Sequence, residues 1–294
     1  PPEEISVRTL TPKQHIVRTR NADFSVWEYP GDGTPLFFCH CTGVSGRVWE
    51  SVFRTLSLNH TLFAWDARGH GDSAKSPEAE AYTWDSLARD LLGVFDQMGL
   101  PEGMQAVGHS GGGSTIVQAE LIRPGTFSRL MLVDAIIALP DFFAGAKLLA
   151  KLVRRRRSRF SSRQEARERF SAKEPMNMWT GDSLDCYLKY CFFQGDGEEI
   201  LLKCPGDIEA WVYEMSDKTE IMSRLPQLQM PVLLITGENS YMQQYVEEQH
   251  KRIAGSEMQV IPGAGHFLAQ EKPEEIAAVM NRWFAPSEGI AQAH

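Results

Sequence analysis

Met104-Gln105-Ala106-Val107-Gly108-His109-Ser110-Gly111-Gly112 joins an apolar, β-type run to a helical one through a G-x-S-x-G pentad. A serine between a strand and a helix needs a sharp, strained turn. Small residues two before it and two after it, here Gly108 and Gly112, let strand and helix approach each other. Such a turn lifts the hydroxyl above the sheet and directs the N–H groups and positive end of the following helix toward charge developing beside it. The pentad alone is a modest signal, but its setting makes Ser110 a candidate nucleophile.

Working outward, further apolar runs stand at Leu36-Phe37-Phe38-Cys39, Leu62-Phe63-Ala64-Trp65, Leu130-Met131-Leu132-Val133, Pro231 to Ile235 and Gln259-Val260-Ile261. Their lack of polar alternation fits strands covered on both faces by helices, hence a mostly parallel α/β sheet. Helical spacing appears at 84–99, at Gly111 to Ile122, and at 273–284, where a proline stands at the start. Between the two strand-bearing blocks, 136–227 turns amphipathic and aromatic-rich without strand alternation. The expected organisation is an α/β core of 1–135 and 228–294, with 136–227 as a helical cap or lid above the C-terminal sheet edge.

With 294 residues, 43% hydrophobic and 23% charged, the chain is large enough for one substantial core, and its composition excludes disordered and collagen-like classes. Thirty Lys and Arg against 38 Asp and Glu leave a net charge of −8, which disfavours nucleic acid as a partner. No segment approaches the roughly 18 apolar residues of a membrane span, so no integral membrane association is expected. The opening PPEEISVRTLTPKQ lacks the basic-then-apolar order of a secretory signal, and a cytoplasmic location is expected. Five cysteines without C-x-x-C spacing indicate neither a disulfide framework nor a zinc site; Cys39 and Cys41 read as small apolar residues. The run Arg154-Arg155-Arg156-Arg157 reads either as a solvated helix face or as a basic rim for anionic substrates or a membrane surface.

A serine hydroxyl needs a base, and among eight histidines His266 is the best placed. It lies in Pro262-Gly263-Ala264-Gly265-His266-Phe267, a glycine-rich loop after the last strand. His109 adjoins Ser110 and should point away from it, while His15, His60, His250 and His294 lie outside the strand ends. The base in turn needs a carboxylate to hold its tautomer. Asp134 directly follows Leu130 to Val133, and Glu238 stands in Thr236-Gly237-Glu238-Asn239-Ser240 after the next strand. The residues alone leave these two in competition.

Over nearly its whole length the chain resembles the α/β-hydrolase superfamily. The resemblance implies a triad acid after the later strand, in a G-x-x-D pattern whose acid position here holds Ser240. The sequence departs from the family there. Haloalkane-dehalogenase-like and some lactonase-like members carry the acid after the preceding central strand, the position of Asp134, so Asp134 is the expected acid and Glu238 the alternative. The resemblance also implies an oxyanion hole from the Gly111 N–H and a loop matching H-G-x, here His40-Cys41-Thr42-Gly43, with Thr42 as second donor and Cys41 as the alternative. Asp66-Ala67-Arg68-Gly69-His70-Gly71-Asp72-Ser73 matches the family's structural turn.

Serine at the elbow separates the chain from aspartate-nucleophile branches and leaves acyl transfer. The expected partner is a small to medium hydrophobic ester or lactone, with Trp179, Tyr187, Phe192 and Trp211 of the cap as substrate-binding candidates. This chemistry requests no metal and no organic cofactor. The alternatives are a C–C bond hydrolase of diketo acids, a cofactor-free perhydrolase, or a non-catalytic relative that binds a small ligand.

Overall fold

Each apolar run singled out above lies in a single eight-stranded sheet, which the computed structural model describes within residues 9–57 and 59–285. In chain order the elements begin with β1 (Lys13–Arg18), β2 (Asp23–Tyr29), β3 (Gly33–Cys39), the short α1 (Glu50–Phe53), β4 (His60–Trp65) and α2 (Trp84–Met98). β5 (Met104–His109), α3 (Gly111–Ile122) and β6 (Phe127–Val133) follow. An insertion then contributes α4 (Pro140–Val153), β7 (Arg159–Phe160), α5 (Arg163–Ser171), α6 (Gly181–Tyr190), β8 (Phe192–Gln194), β9 (Ile200–Leu202) and α7 (Gly206–Met215). The chain returns through β10 (Val232–Gly237), α8 (Gln243–Arg252), β11 (Glu257–Ile261), the short α9 (Leu268–Glu271) and α10 (Pro273–Trp283).

Strand order is β1-β2-β4-β3-β5-β6-β10-β11, with parallel pairing from β4 to β11 and an antiparallel β1-β2 ribbon at one edge. β1, KQHIVR, escaped the sequence reading because it is an exposed, charged edge strand without an apolar run. The central strands are apolar on both sides because both sides are covered. Phe37, Leu132 and Leu234 pack with Leu91 and Ile116 on one face, and Phe38, Met131 and Ile235 with Phe53, Ile276 and Met280 on the other.

The insertion is not wholly helical, which corrects the expectation for 136–227. It also holds a small antiparallel sheet, β7-β9-β8, whose strands of two or three residues are too short to leave a period-two pattern. Among the described residues no helix is long and apolar enough to cross a membrane.

Parallel pairing brings the C-terminal ends of β3, β5, β6 and β10 to one edge, with Cys39 level with Gly108, His109 with Val133, and Val133 with Ile235. The residues that follow these ends share that edge, where open α/β sheets bind their ligands.

Candidate active site

Ser110 sits at φ 56° and ψ −121°, a left-handed conformation unusual for a side-chain-bearing residue. Neighbouring strands hold it there: its N–H donates to the Val133 carbonyl at 2.9 Å, and its own carbonyl accepts from Gly113 and Ile136. The elbow tolerates no bulk, since a Cβ on Gly112 would lie 2.5 Å from the Cys39 carbonyl oxygen. Asp134, at φ 48°, is the other described non-glycine residue in this region, and its N–H donates to Ile235. Backbone strain concentrated at two candidate residues is the pattern of a functional site.

The imidazole of His266 bridges those two. Its Nε2 lies 3.0 Å from Ser110 Oγ and its Nδ1 2.8 Å from Asp134 Oδ2. Asp134 is fully buried and can only accept there, which places the proton on Nδ1 and leaves Nε2 to take the Ser110 O–H. The carboxylate is held further by hydroxyls: Thr236 donates to Oδ1 at 2.5 Å, and Ser240 donates to Oδ2, the oxygen that faces His266. Ser240 Oγ accepts from the Met242 N–H at 3.0 Å, which turns its own proton toward Asp134. The residue at the position of the usual acid thus hydrogen-bonds to the candidate acid that stands elsewhere. Sequence reasoning saw Ser240 only as a departure.

Glu238, the alternative acid, is exposed and accepts from the Gly263 N–H at 2.8 Å, tying the turn before the histidine loop. His109 points away from the elbow as expected, and its Nε2 lies 2.9 Å from the His266 carbonyl, where an N–H donates. The exposed ring of Tyr241, unremarked in the sequence, lies 4.7 Å from the His266 ring and 6.2 Å from Phe142 of the insertion.

Thr42 adjoins the head of α3: a Cβ built on Gly111 would come within 2.8 Å of Thr42 Oγ1. The first N–H groups of α3 have no partner inside the helix, as at any helix start. Two buried histidines shape the loop beside them. His40 donates from Nδ1 to the Cys41 carbonyl at 2.7 Å and accepts the Ala67 N–H at Nε2, while His70 Nε2 accepts the Gly43 N–H at 3.0 Å. Burial pushes the pKa of His40 down to about 4 and those of His70 and His109 down to about 3. Burial pushes the Cys39 and Cys41 thiols up, as expected of apolar packing residues.

These histidines stay neutral in the folded chain while the unfolded chain takes up protons near the ordinary value of 6.5. Their stabilisation is therefore complete above pH 6.5 and falls as pH drops toward 4, each contributing a loss of roughly 1–2 kcal/mol per pH unit. The urea midpoint should drop between pH 7.5 and 5, and His70→Gln, which keeps an acceptor, should reduce that drop. Midpoints equal at the two pH values would refute the burial account.

Of the aromatic candidates in the insertion, Tyr187 and Phe192 pack against each other and against Phe170, in a cluster that also takes in Cys41, Val44 and Val48 from the loop after β3. Trp211 stacks on Tyr82 at 5.7 Å. Trp179 meets Phe267, the neighbour of His266, at 5.4 Å. The arginine run is largely neutralised within the insertion: Arg154 pairs with Glu214, Arg156 with Glu209 at 2.6 Å, and Arg157 with Glu165 at 2.5 Å.

The model of the alpha/beta hydrolase family matches residues 36–279. The chain is 24% identical over 271 residues to an sn-1-specific diacylglycerol lipase of Mus musculus, covering 87% of this chain and 83% of that one. The protein of the same name from Danio rerio aligns at 30% identity over 131 residues, 44% of this chain and 38% of that protein's length. A carboxylesterase of Bacillus subtilis (strain 168) is 28% identical over 284 residues, covering 93% and 85% of the two chains. Among solved structures, that of E-2-(acetamidomethylene)succinate hydrolase superposes with a TM-score of 0.80 at 19% identity, over 94% of this chain and 99% of that one.

Proposed function

The chain belongs to the alpha/beta hydrolase family, and on that premise we propose that it is a serine hydrolase of carboxylic esters or lactones working through an acyl-enzyme. One observation carries the reading, the hydrogen-bonded line from Ser110 through His266 to Asp134. As Ser110 Oγ attacks the ester carbonyl, its proton passes to His266 Nε2, and Asp134 stabilises the imidazolium through the Nδ1–H. The tetrahedral oxyanion rests on the backbone N–H groups of Gly111 and Thr42. Thr42 is preferred to Cys41 because its side chain abuts Gly111. Collapse expels the alkoxide, which takes the His266 proton. Water activated by the same imidazole then releases the acid. In a lactone the alkoxide stays tethered to the acyl group, and the steps are otherwise the same.

The insertion acts as a cap whose aromatic rings favour a small to medium hydrophobic acyl group. In support, Phe142 reaches Tyr241 and Trp179 reaches Phe267, so cap residues border both neighbours of the histidine. The named relatives, a lipase and a carboxylesterase, agree with ester chemistry. Kinetics on p-nitrophenyl esters of increasing acyl length test the reading: turnover with a preferred length is expected, and no turnover of any ester would contradict it.

Ser240 is a positioning residue in this scheme. Ser240→Ala removes one hydrogen bond to Asp134 and leaves the Met242 N–H without its acceptor, at a cost of about 1–3 kcal/mol. A fall in kcat of roughly 10- to 100-fold with KM nearly unchanged is expected. An unchanged kcat would remove Ser240 from the relay.

A further inference from the structure

Helix α4 exposes an apolar stripe. Its small residues Ala146 and Ala150 are buried, and α7 approaches so closely that a Cβ on Gly206 would lie 2.4 Å from the Val153 carbonyl oxygen. At about 100° per residue, that seating turns Leu148, Leu149 and Leu152 outward, and they are 60%, 39% and 59% exposed. A Cβ built on Gly145 of the same helix would meet nothing within 4 Å. The seated side, with Phe142 and Phe143 packed on the core and Ala146 and Ala150 buried, is apolar as well, so α4 carries apolar residues on both sides.

Two cations flank the stripe. Lys147 pairs with Asp217 and Arg154 with Glu214, but Lys151 and Arg155 are exposed and have no ion pair among the described residues. Lys151 lies on α4 beside Leu148 and Leu152, and Arg155 follows in the turn that leaves the helix, four residues on. The helix also begins at the mouth of the candidate site, since Phe142 in its first turn faces Tyr241, which faces His266.

We propose that the outward face of α4 is a docking surface for an anionic lipid bilayer, with Leu148, Leu149 and Leu152 entering the headgroup boundary and Lys151 and Arg155 meeting lipid phosphates and carboxylates. An apolar helix face edged by cations is suited to lie in such an interface. The chain as a whole carries −8, so an anionic surface repels most of it and selects the basic edge of α4. A second copy fits less well. Two-fold pairing through α4 would set Lys151 and Arg155 against their own counterparts, and three leucines offer far less than the about 800 Å² per partner of a stable interface. Docking through α4 puts in the interface the helix whose first turn borders the site, which makes a lipid-borne ester the inferred substrate class. That last step rests on the ester-hydrolase reading, whereas the docking does not.

Co-sedimentation of the full chain with vesicles of phosphatidylcholine alone, and with about one-third phosphatidylserine, tests the proposal. Binding to the anionic vesicles should exceed binding to neutral ones by about tenfold and weaken with salt. Leu148→Ser with Leu152→Ser should reduce it by about tenfold, and Lys151→Glu with Arg155→Glu should abolish the preference for phosphatidylserine. Hydrolysis of a water-soluble short p-nitrophenyl ester should stay within about twofold in both double variants, because these side chains stand outside the site. Wild-type protein left in the supernatant with both vesicles would overturn the proposal, as would leucine variants that bind like wild type. A wild-type dimer lost in the leucine variant would overturn it in favour of a second copy. Vesicle binding is read without turnover, so failure of the ester reading would show separately, as absent hydrolysis with docking intact.

Discussion

Ser110→Ala should lower kcat on a p-nitrophenyl ester by on the order of 10^5-fold or more, with KM little changed. In the proposed mechanism the substitution deletes the atom that forms the acyl bond. The proposed oxyanion donors are backbone groups and would survive, so the residue of activity should be the weak catalysis they provide unaided. Alanine carries the same backbone demand as serine at φ 56°, and Ser110 Oγ anchors no backbone group, so the fold should be retained. Steady-state kinetics beside a thermal melt check both halves. Activity within tenfold of wild type, with the melt unchanged, would remove Ser110 from the chemistry.

Asp134→Asn should cost about 10^4-fold in kcat, whereas Glu238→Gln should stay within about threefold. An amide at position 134 has the size of the carboxylate, but its NH2 donates toward His266 Nδ1 and drives the ring proton to Nε2. The imidazole then presents a proton to Ser110 where it must present a lone pair. Glu238 is exposed and accepts from the Gly263 N–H across a turn, so its neutral analogue should disturb little. Both variants can be measured on the same ester, and the reverse ranking would move the acid to Glu238.

The sheet was legible because its central strands are apolar on both faces and its elbow carries its own punctuation in Gly108 and Gly112. What stayed hidden was short or exposed. β1 lies exposed at an edge, and the three strands of the insertion are too brief to register a period. At the candidate site Ser110, His266 and Asp134 could be named because each follows a strand end, which is where topology gathers side chains. Their supports could not. Ser240 and Thr236 matter only because β10 lies beside β6, and Tyr241 only because its ring covers His266; neither relation has a sequence spacing of its own. Density of rings in the insertion does not by itself separate the interior of a cap from the wall of a pocket, and Tyr187 and Phe192, which pack on each other and on Phe170, are one such cluster.

In the proposed mechanism one serine is made nucleophilic by the line through His266 to Asp134. A fluorophosphonate, which traps such a serine by phosphonylation, followed by intact mass and peptide mapping, measures this without knowledge of the natural substrate. A single adduct per chain is expected, located on Ser110, absent in Ser110→Ala and slowed in Asp134→Asn. An unmodified chain, or an adduct on any other residue, would contradict it.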